Sequence, residues 1–225
     1  MWLIGIYVLL CVWLFISIRK PSSMIGTFSN IYETGAWGGN DDSAKKYKGP
    51  SGGGSDPLYL KDTYVPVVRD FIKKNNIKSV CDLGCGSFLV GKMIYDDLDV
   101  KYIGYDAYEK VINEHKSEKY SSKYDFIHLD FKGSKEDIKS ADLCIIKDVL
   151  QHWSLSDIYE FMDYIVESKK FKYIITCNDY IGAIDNSDIE TGGWRPLSID
   201  TLPLKKYTPT YIYEWDTKMV CLITC

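Results

Sequence analysis

The stretch that decides the reading is Ser79-Val80-Cys81-Asp82-Leu83-Gly84-Cys85-Gly86-Ser87-Phe88. A short apolar, β-prone run ends in an acid, and two glycines one residue apart follow at once. This is how a parallel strand hands over to a tight turn under which a nucleotide-like ligand can lie. Gly84 and Gly86 carry no Cβ, so the backbone there can take unusual dihedrals and approach a ligand closely. A dinucleotide fingerprint needs a third glycine three residues after the second, and Leu89 stands at that position. The loop is therefore a poor match to a pyrophosphate-binding turn.

Outward from this stretch the pattern alternates strand and helix. Apolar residues at helical spacing from Pro57 to Asn75 predict an amphipathic helix ahead of the first strand, Lys78–Asp82. A helix over Phe88–Tyr95 and strands at Tyr102–Tyr105, Phe126–Leu129, Asp142–Lys147 and Tyr173–Cys177 follow, with further helices ending near Lys116 and spanning Ser156–Ser168. Tyr211–Trp215 and Met219–Thr224, separated by Asp216-Thr217-Lys218, read as a hairpin. Helices between short apolar strands imply right-handed crossovers. The expected fold is α/β and Rossmann-like: a mostly parallel seven-stranded sheet with helices on both faces and a C-terminal antiparallel hairpin.

Acids stand at the ends of four successive predicted strands: Asp82, Asp106, Asp130 and Asp148. In an open α/β sheet, ligands bind off those ends, where strand order reverses. Asp106 lies 22 residues past Gly84, close to the roughly 20 expected of an acid that holds a ribose diol. Asp130 beside Phe131 suits an adenine site, the acid accepting from the exocyclic amine and the ring packing on the base. After the fourth strand, Asp148 or His152 could serve as general base, imidazole being better matched near neutral pH. Asp148, Asn178 and Asp179 could in principle hold a cation through oxygen ligands. Three such residues near strand ends are easily coincidental, and no metal is expected. His115 and His128 read as structural.

The chain has 225 residues and a net charge of −4. That is enough for one α/β domain with an appendage, and no basic field marks nucleic acid as a partner. Seven cysteines, none in a Cys-x-x-Cys pair, read as reduced and mostly buried thiols. Met1 to Ile18 carries no charged side chain and is followed by Arg19-Lys20-Pro21. Such a run is at the short end for crossing a bilayer as a helix. Basic residues after it place the body of the protein in the cytosol. The expected organisation is a transmembrane anchor over 1–20, a glycine-rich linker or ligand-covering loop over 21–56, and a catalytic domain over 57–225. Tyr32, Trp37 and Tyr47 interleave with the glycines of the loop, which pure linkers seldom show.

With these residues in place, the chain resembles class I S-adenosylmethionine (SAM) methyltransferases over about residues 30–225. These enzymes carry a strand-Asp-x-Gly-x-Gly loop without a third glycine, their cofactor having no pyrophosphate to seat. More narrowly, it is similar to a bacterial and viral subgroup that pairs three segments, here Thr34-Gly35-Ala36-Trp37-Gly38, Ser51-Gly52-Gly53-Gly54-Ser55 and Thr191-Gly192-Gly193-Trp194-Arg195-Pro196-Leu197. The resemblance implies SAM as cofactor, bound by Asp82, Gly84, Cys85, Gly86, Asp106, Asp130 and Phe131. It further implies Asp148 or His152 as the base, and Trp194 and Arg195 on the acceptor side.

The expected activity is O-methylation of a sugar, glycan or other small hydroxylated acceptor at a membrane. Protein or RNA methylation is a second enzymatic option. A non-catalytic scaffold would be expected to have lost the glycine turn or the ribose acid, and both are present.

Overall fold

The computed structural model describes residues 24–37, 51–118, 120 and 122–225. The apolar run expected to anchor the chain, and Tyr47, lie outside the described residues. Among those described, no helix is long and apolar enough to cross a membrane.

Seven strands form in chain order: β1 Ser79–Leu83, β2 Lys101–Asp106, β3 Tyr124–His128, β4 Ala141–Lys147, β5 Phe171–Asp179, β6 Thr210–Trp215 and β7 Lys218–Thr224. They make one sheet in the order β3-β2-β1-β4-β5-β7-β6. The first five are mutually parallel where they pair, and β7 runs antiparallel to both β5 and β6. Strand order therefore reverses between β1 and β4, which locates the ligand crevice at their carboxyl ends. The expected fold is the observed one.

Each central strand is apolar on both faces because helices cover both. Along β4, Leu143 and Ile145 belong to one core cluster, while Cys144 and Ile146 belong to the other. The first cluster takes in Val68 and Ile72 of helix α3 (Tyr64–Lys74), Ile94 of α4 (Gly91–Tyr95) and Ile112 of α5 (Glu109–Ser117). The second is closed by Ile158, Phe161, Met162 and Ile165 of α6 (Leu155–Glu167). Ser154 caps α6, its hydroxyl accepting from the Asp157 N–H at 3.2 Å.

Three local expectations need correction. Residues 21–56 are not all linker: Met24–Thr34 forms helix α1, with Met24 and Tyr32 buried against the domain. Met24, Phe28, Ile31 and Tyr32 recur at helical spacing, a signal masked by the glycines that follow. The helix expected over Pro57–Asn75 is two pieces, α2 (Pro57–Leu60), capped by Asp56, and α3. The helix expected from Phe88 starts only at Gly91, because Phe88 is in the left-handed region at φ 52°. That turn drives the Phe88 ring against Gly91, where an added Cβ would stand 1.9 Å from the ring. The buried ring anchors an aromatic group that includes Tyr95, Tyr102, Tyr124 and Phe126.

Candidate active site

The turn after β1 is tied to β2. The N–H groups of Gly84 and Cys85 both donate to the Tyr105 carbonyl, at 2.8 and 3.0 Å. Gly84 has φ 89°, and a Cβ there would lie 2.4 Å from Val149 Cγ2. Gly86 has φ 50°, and its N–H donates to Asp106 Oδ2 at 2.9 Å while Asp106 Oδ1 accepts from the Tyr108 N–H. The Gly86 carbonyl meets His115 Nε2 at 2.7 Å. The two peptide units that flank the Gly86 Cα are thus both held, one by Asp106 and one by the buried His115.

A cavity opens beside this turn at the carboxyl ends of β1, β2 and β4. Asp82, Gly84, Cys85, Gly86, Asp106 and Phe131 are on its wall. Burial raises the Asp82 carboxyl to about 6, although the Tyr102 hydroxyl donates to it at 2.8 Å. Burial likewise raises Asp106, against the N–H groups of Tyr108 and Gly86 that favour its charge. Each Asp106 oxygen keeps further accepting capacity after one backbone hydrogen bond.

The cavity roof comes from the region before α2. Ser51 Oγ accepts from the Ser87 N–H at 2.7 Å and lies 3.4 Å from the Tyr32 hydroxyl. An added Cβ at Gly86 would stand 2.6 Å from the same Ser51 oxygen. The Tyr32 ring stacks on Tyr108 with centroids 4.4 Å apart, and Trp37 stands edge-on to Tyr32 at 5.4 Å. Tyr32 and Trp37 both line the cavity.

Across from the turn, the segment Thr191–Arg195 is laced to residues 151–154. Gly192 N–H donates to the His152 carbonyl at 2.8 Å, Arg195 N–H to the Gln151 carbonyl at 3.0 Å, and Ser154 N–H to Thr191 Oγ1 at 2.9 Å. The His152 ring is fixed by the same lacing, with Nδ1 2.7 Å from the Gly193 carbonyl oxygen. A carbonyl can only accept, so the proton sits on Nδ1 and the Nε2 lone pair accepts a long hydrogen bond, 3.4 Å, from the Gln151 amide N–H. Burial lowers the His152 pKa below its ordinary 6.5. The ring is therefore neutral near pH 7, and a substrate hydroxyl at Nε2 would displace the long contact from Gln151. Trp37 packs on it at a centroid distance of 4.9 Å.

Asp148, the other proposed base, is differently placed. Its Oδ2 is 2.5 Å from Lys147 Nζ and its Oδ1 2.5 Å from Lys218 Nζ. Burial opposes its ionisation, but the two ammonium groups outweigh that and hold its pKa below the usual carboxylate value. A carboxylate so stabilised is a poor proton acceptor. Lys218 also reaches Asp179 Oδ2 at 2.9 Å, so its ammonium occupies the space between Asp148 and Asp179 where a cation had been considered.

Three expected site residues, Asp130, Arg195 and Trp194, are off the cavity wall. Asp130 is not on the cavity wall; its Oδ1 accepts from the Gly133 N–H at 3.0 Å and closes a turn. Its neighbour Phe131 takes the wall position, its ring 5.7 Å from Trp153. Arg195 is 3% exposed and donates from Nη1 to the Trp153 carbonyl at 2.5 Å. It supports the loop from within and does not face an acceptor. Trp194, 55% exposed, donates its indole N–H to Asp179 Oδ2 at 3.1 Å.

Several residues here were not singled out from sequence: Ser51, Gln151, Lys147 and Lys218. Only the register that pairs Asp179 with Lys218 across β5 and β7 brings Lys218 to the site.

No protein-family model and no curated protein matches the chain. Solved structures do. The methyltransferase domain of bacterial CtHen1 superposes with a TM-score of 0.56 at 16% identity, covering 74% of this chain and all of that domain. Human N-acetylserotonin methyltransferase, in complex with SAM, gives 0.53 at 18% identity over 71% of this chain, which spans about half (51%) of that protein. The N-methyltransferase NodS from Bradyrhizobium japonicum, in complex with S-adenosyl-L-homocysteine (SAH), gives 0.53 at 10% identity over 76% of this chain and 92% of NodS. The fold is the Rossmann-like methyltransferase fold. At such identities the likeness concerns architecture, and acceptor chemistry has to be argued from the side chains.

Proposed function

We propose that this protein is a SAM-dependent O-methyltransferase acting on a sugar, a glycan or another small hydroxylated acceptor. The observation that carries the reading is His152, its Nδ1 fixed by the Gly193 carbonyl and its Nε2 meeting only the Gln151 amide, at 3.4 Å, on a wall shared by the cavity at the strand ends and a second, more polar hollow.

The residues present fit the cofactor. Gly84 and Gly86 leave the turn without side chains on a wall that a Cβ could occupy only by displacing Val149 or Ser51. Asp106 can accept from the two ribose hydroxyls with charge-assisted strength, and Phe131 offers an apolar wall for a base. Asp82, held largely ionised near neutral pH, adds a buried negative charge suited to a cationic group. When bound, SAM supplies a methyl group on a cationic sulfur.

His152 accepts the acceptor hydroxyl proton at Nε2, and the Gly193 carbonyl stabilises the imidazolium through Nδ1–H. Trp37 and Tyr32 cover the site and exclude water. Asp148, tied between two lysines, holds the strand-end geometry without exchanging a proton. Much of the remaining acceleration is alignment of donor and acceptor.

Transfer of radiolabelled methyl from SAM to an array of sugars, glycans and nucleotide sugars tests the reading. Label in a sugar product, abolished by His152→Gln, supports it, and label only in protein or RNA overturns the acceptor class. We also propose that residues 1–20 hold the enzyme to a membrane with its domain in the cytosol. Release of the full chain by alkaline extraction would contradict that.

A further inference from the structure

The hollow beyond His152 does not end at the catalytic wall. It shares Trp37, Ser51, Asp148 and His152 with the first cavity and adds Gly52, Gly53, Asp179 and Lys218. From there a third hollow continues over Gly53, Gly54, Asp179 and Lys218 to Asp56, Leu58 and Tyr59 beside α2. The three hollows adjoin through these shared residues, in a series from the strand ends past His152 to Tyr59.

Its glycines sort into two kinds. Gly52 needs its φ of 80°, and Gly54 has no room for a Cβ, which would stand 2.7 Å from Asp148 Oδ2. Gly53 has neither constraint: a Cβ built there meets nothing within 4 Å. The fold would accept a side chain at Gly53, and that side chain would stand in the groove.

The chemistry of the outer groove is polar but without free positive charge among the described lining residues. Lys218 is the cation there, and Asp148 and Asp179 already flank its ammonium. Asp56 adds negative charge. Among the described lining residues, an acceptor bearing a diphosphate would meet no unpaired counter-charge. Two aromatic rings are held in place nearby. The Tyr59 hydroxyl donates to Asp216 Oδ2 at 3.0 Å, and its ring is backed by Trp215 at 6.0 Å. Trp194 is mostly exposed and off the groove wall, but its indole N–H donates to Asp179, which lines it. Fixed ring faces, negative at the centre, suit the polarised C–H faces of sugars, and the flanking carboxylates suit hydroxyl donors.

We infer that the groove takes a neutral oligosaccharide of at least two units, with the reacting hydroxyl at His152 and the next unit crossing Gly53 toward Tyr59. This rests on the proposed methyl transfer at His152 and specifies its acceptor. The test uses the full chain with SAM and an array of neutral mono- to tetrasaccharides (hexoses, deoxyhexoses and N-acetylhexosamines), with nucleotide sugars alongside. Methyl transfer and quenching of tryptophan fluorescence by the same sugars are both measured.

The expected result is a kcat/KM at least tenfold higher for the best di- or trisaccharide than for its monosaccharide. Gly53→Val should bring that ratio toward one, and Tyr59→Leu should lower it. SAH titration of each variant reports its folding; if a variant is misfolded, the length dependence of the parent protein decides alone. Transfer to monosaccharides or nucleotide sugars without a gain on chain length overturns the groove and leaves the methyltransferase reading standing. Oligosaccharide binding that Gly53→Val weakens, with no transfer to any sugar, keeps the groove and overturns the reading. Neither binding nor transfer overturns both.

Discussion

His152 Nδ1 stands 2.7 Å from the carbonyl oxygen of Gly193, a residue 41 positions away in the chain. That contact selects the tautomer of the only histidine on the cavity wall among the described residues. Because the Gly192 N–H also holds the His152 carbonyl, the glycine-led segment fixes the ring and its backbone together. In the proposed reaction, proton transfer at His152 therefore depends on this loop.

His152→Gln should lower kcat by about 10²–10⁴-fold, the usual contribution of a positioned base, while SAH binds as before. Burial lowers the pKa of this imidazole from 6.5, so the basic form persists to lower pH. Activity should therefore be level through neutral pH and fall only on the acid side of 6.5. A kcat profile that still rises between pH 7 and 8 would assign the proton to another group.

Arg195 is expected to matter for stability before it matters for acceptor binding. Its removal leaves the Trp153 carbonyl without its donor, a loss of about 1–3 kcal/mol for a buried group. Thermal denaturation of Arg195→Ala should show a clearly lower Tm. An unchanged Tm with a raised acceptor KM would return this residue to the acceptor site.

Asp82 predicts a pH-dependent gain in stability. Its folded-state pKa of about 6 exceeds the ordinary 3.8, so the native state holds a proton that the unfolded chain releases. Stability from this group is full below about 3.8 and is lost as pH rises through 6. Asp82→Asn keeps an acceptor for the Tyr102 hydroxyl and should be more stable than the parent at pH 7.5. The gain is at most about 3 kcal/mol, shrinking toward zero at pH 4, and SAM should bind it less well. Chemical denaturation at the two pH values checks this; an equal gain at both would exclude the carboxyl as its source.

The sheet was legible because its signals are local. Apolar runs ending in Asp82, Asp106 and Asp148 mark strands whatever the rest of the chain does, and the glycines of the turn need only their own dihedrals. Helix α1 was missed because its apolar spacing is short and set among glycines and polar residues. Asp130 misled because an acid near a strand end serves equally to close a turn, as it does with Gly133. Arg195 misled because nothing in Gly-Gly-Trp-Arg-Pro says which way a guanidinium points, and here it points inward. Lys218 was invisible because its role depends on pairing with a strand 39 residues upstream.

Titration of SAH into the parent protein and into Asp106→Asn, followed by calorimetry, tests the central claim most directly. Asp106 holds the glycine turn through the Gly86 N–H and lines the cavity where the ribose would lie. The account predicts saturable one-site binding to the parent. It predicts weakening by about 1.5–3 kcal/mol, roughly 10- to 150-fold, in the variant, the range for a hydrogen bond to a charged group. No binding to the parent, or equal binding to both proteins, would contradict it.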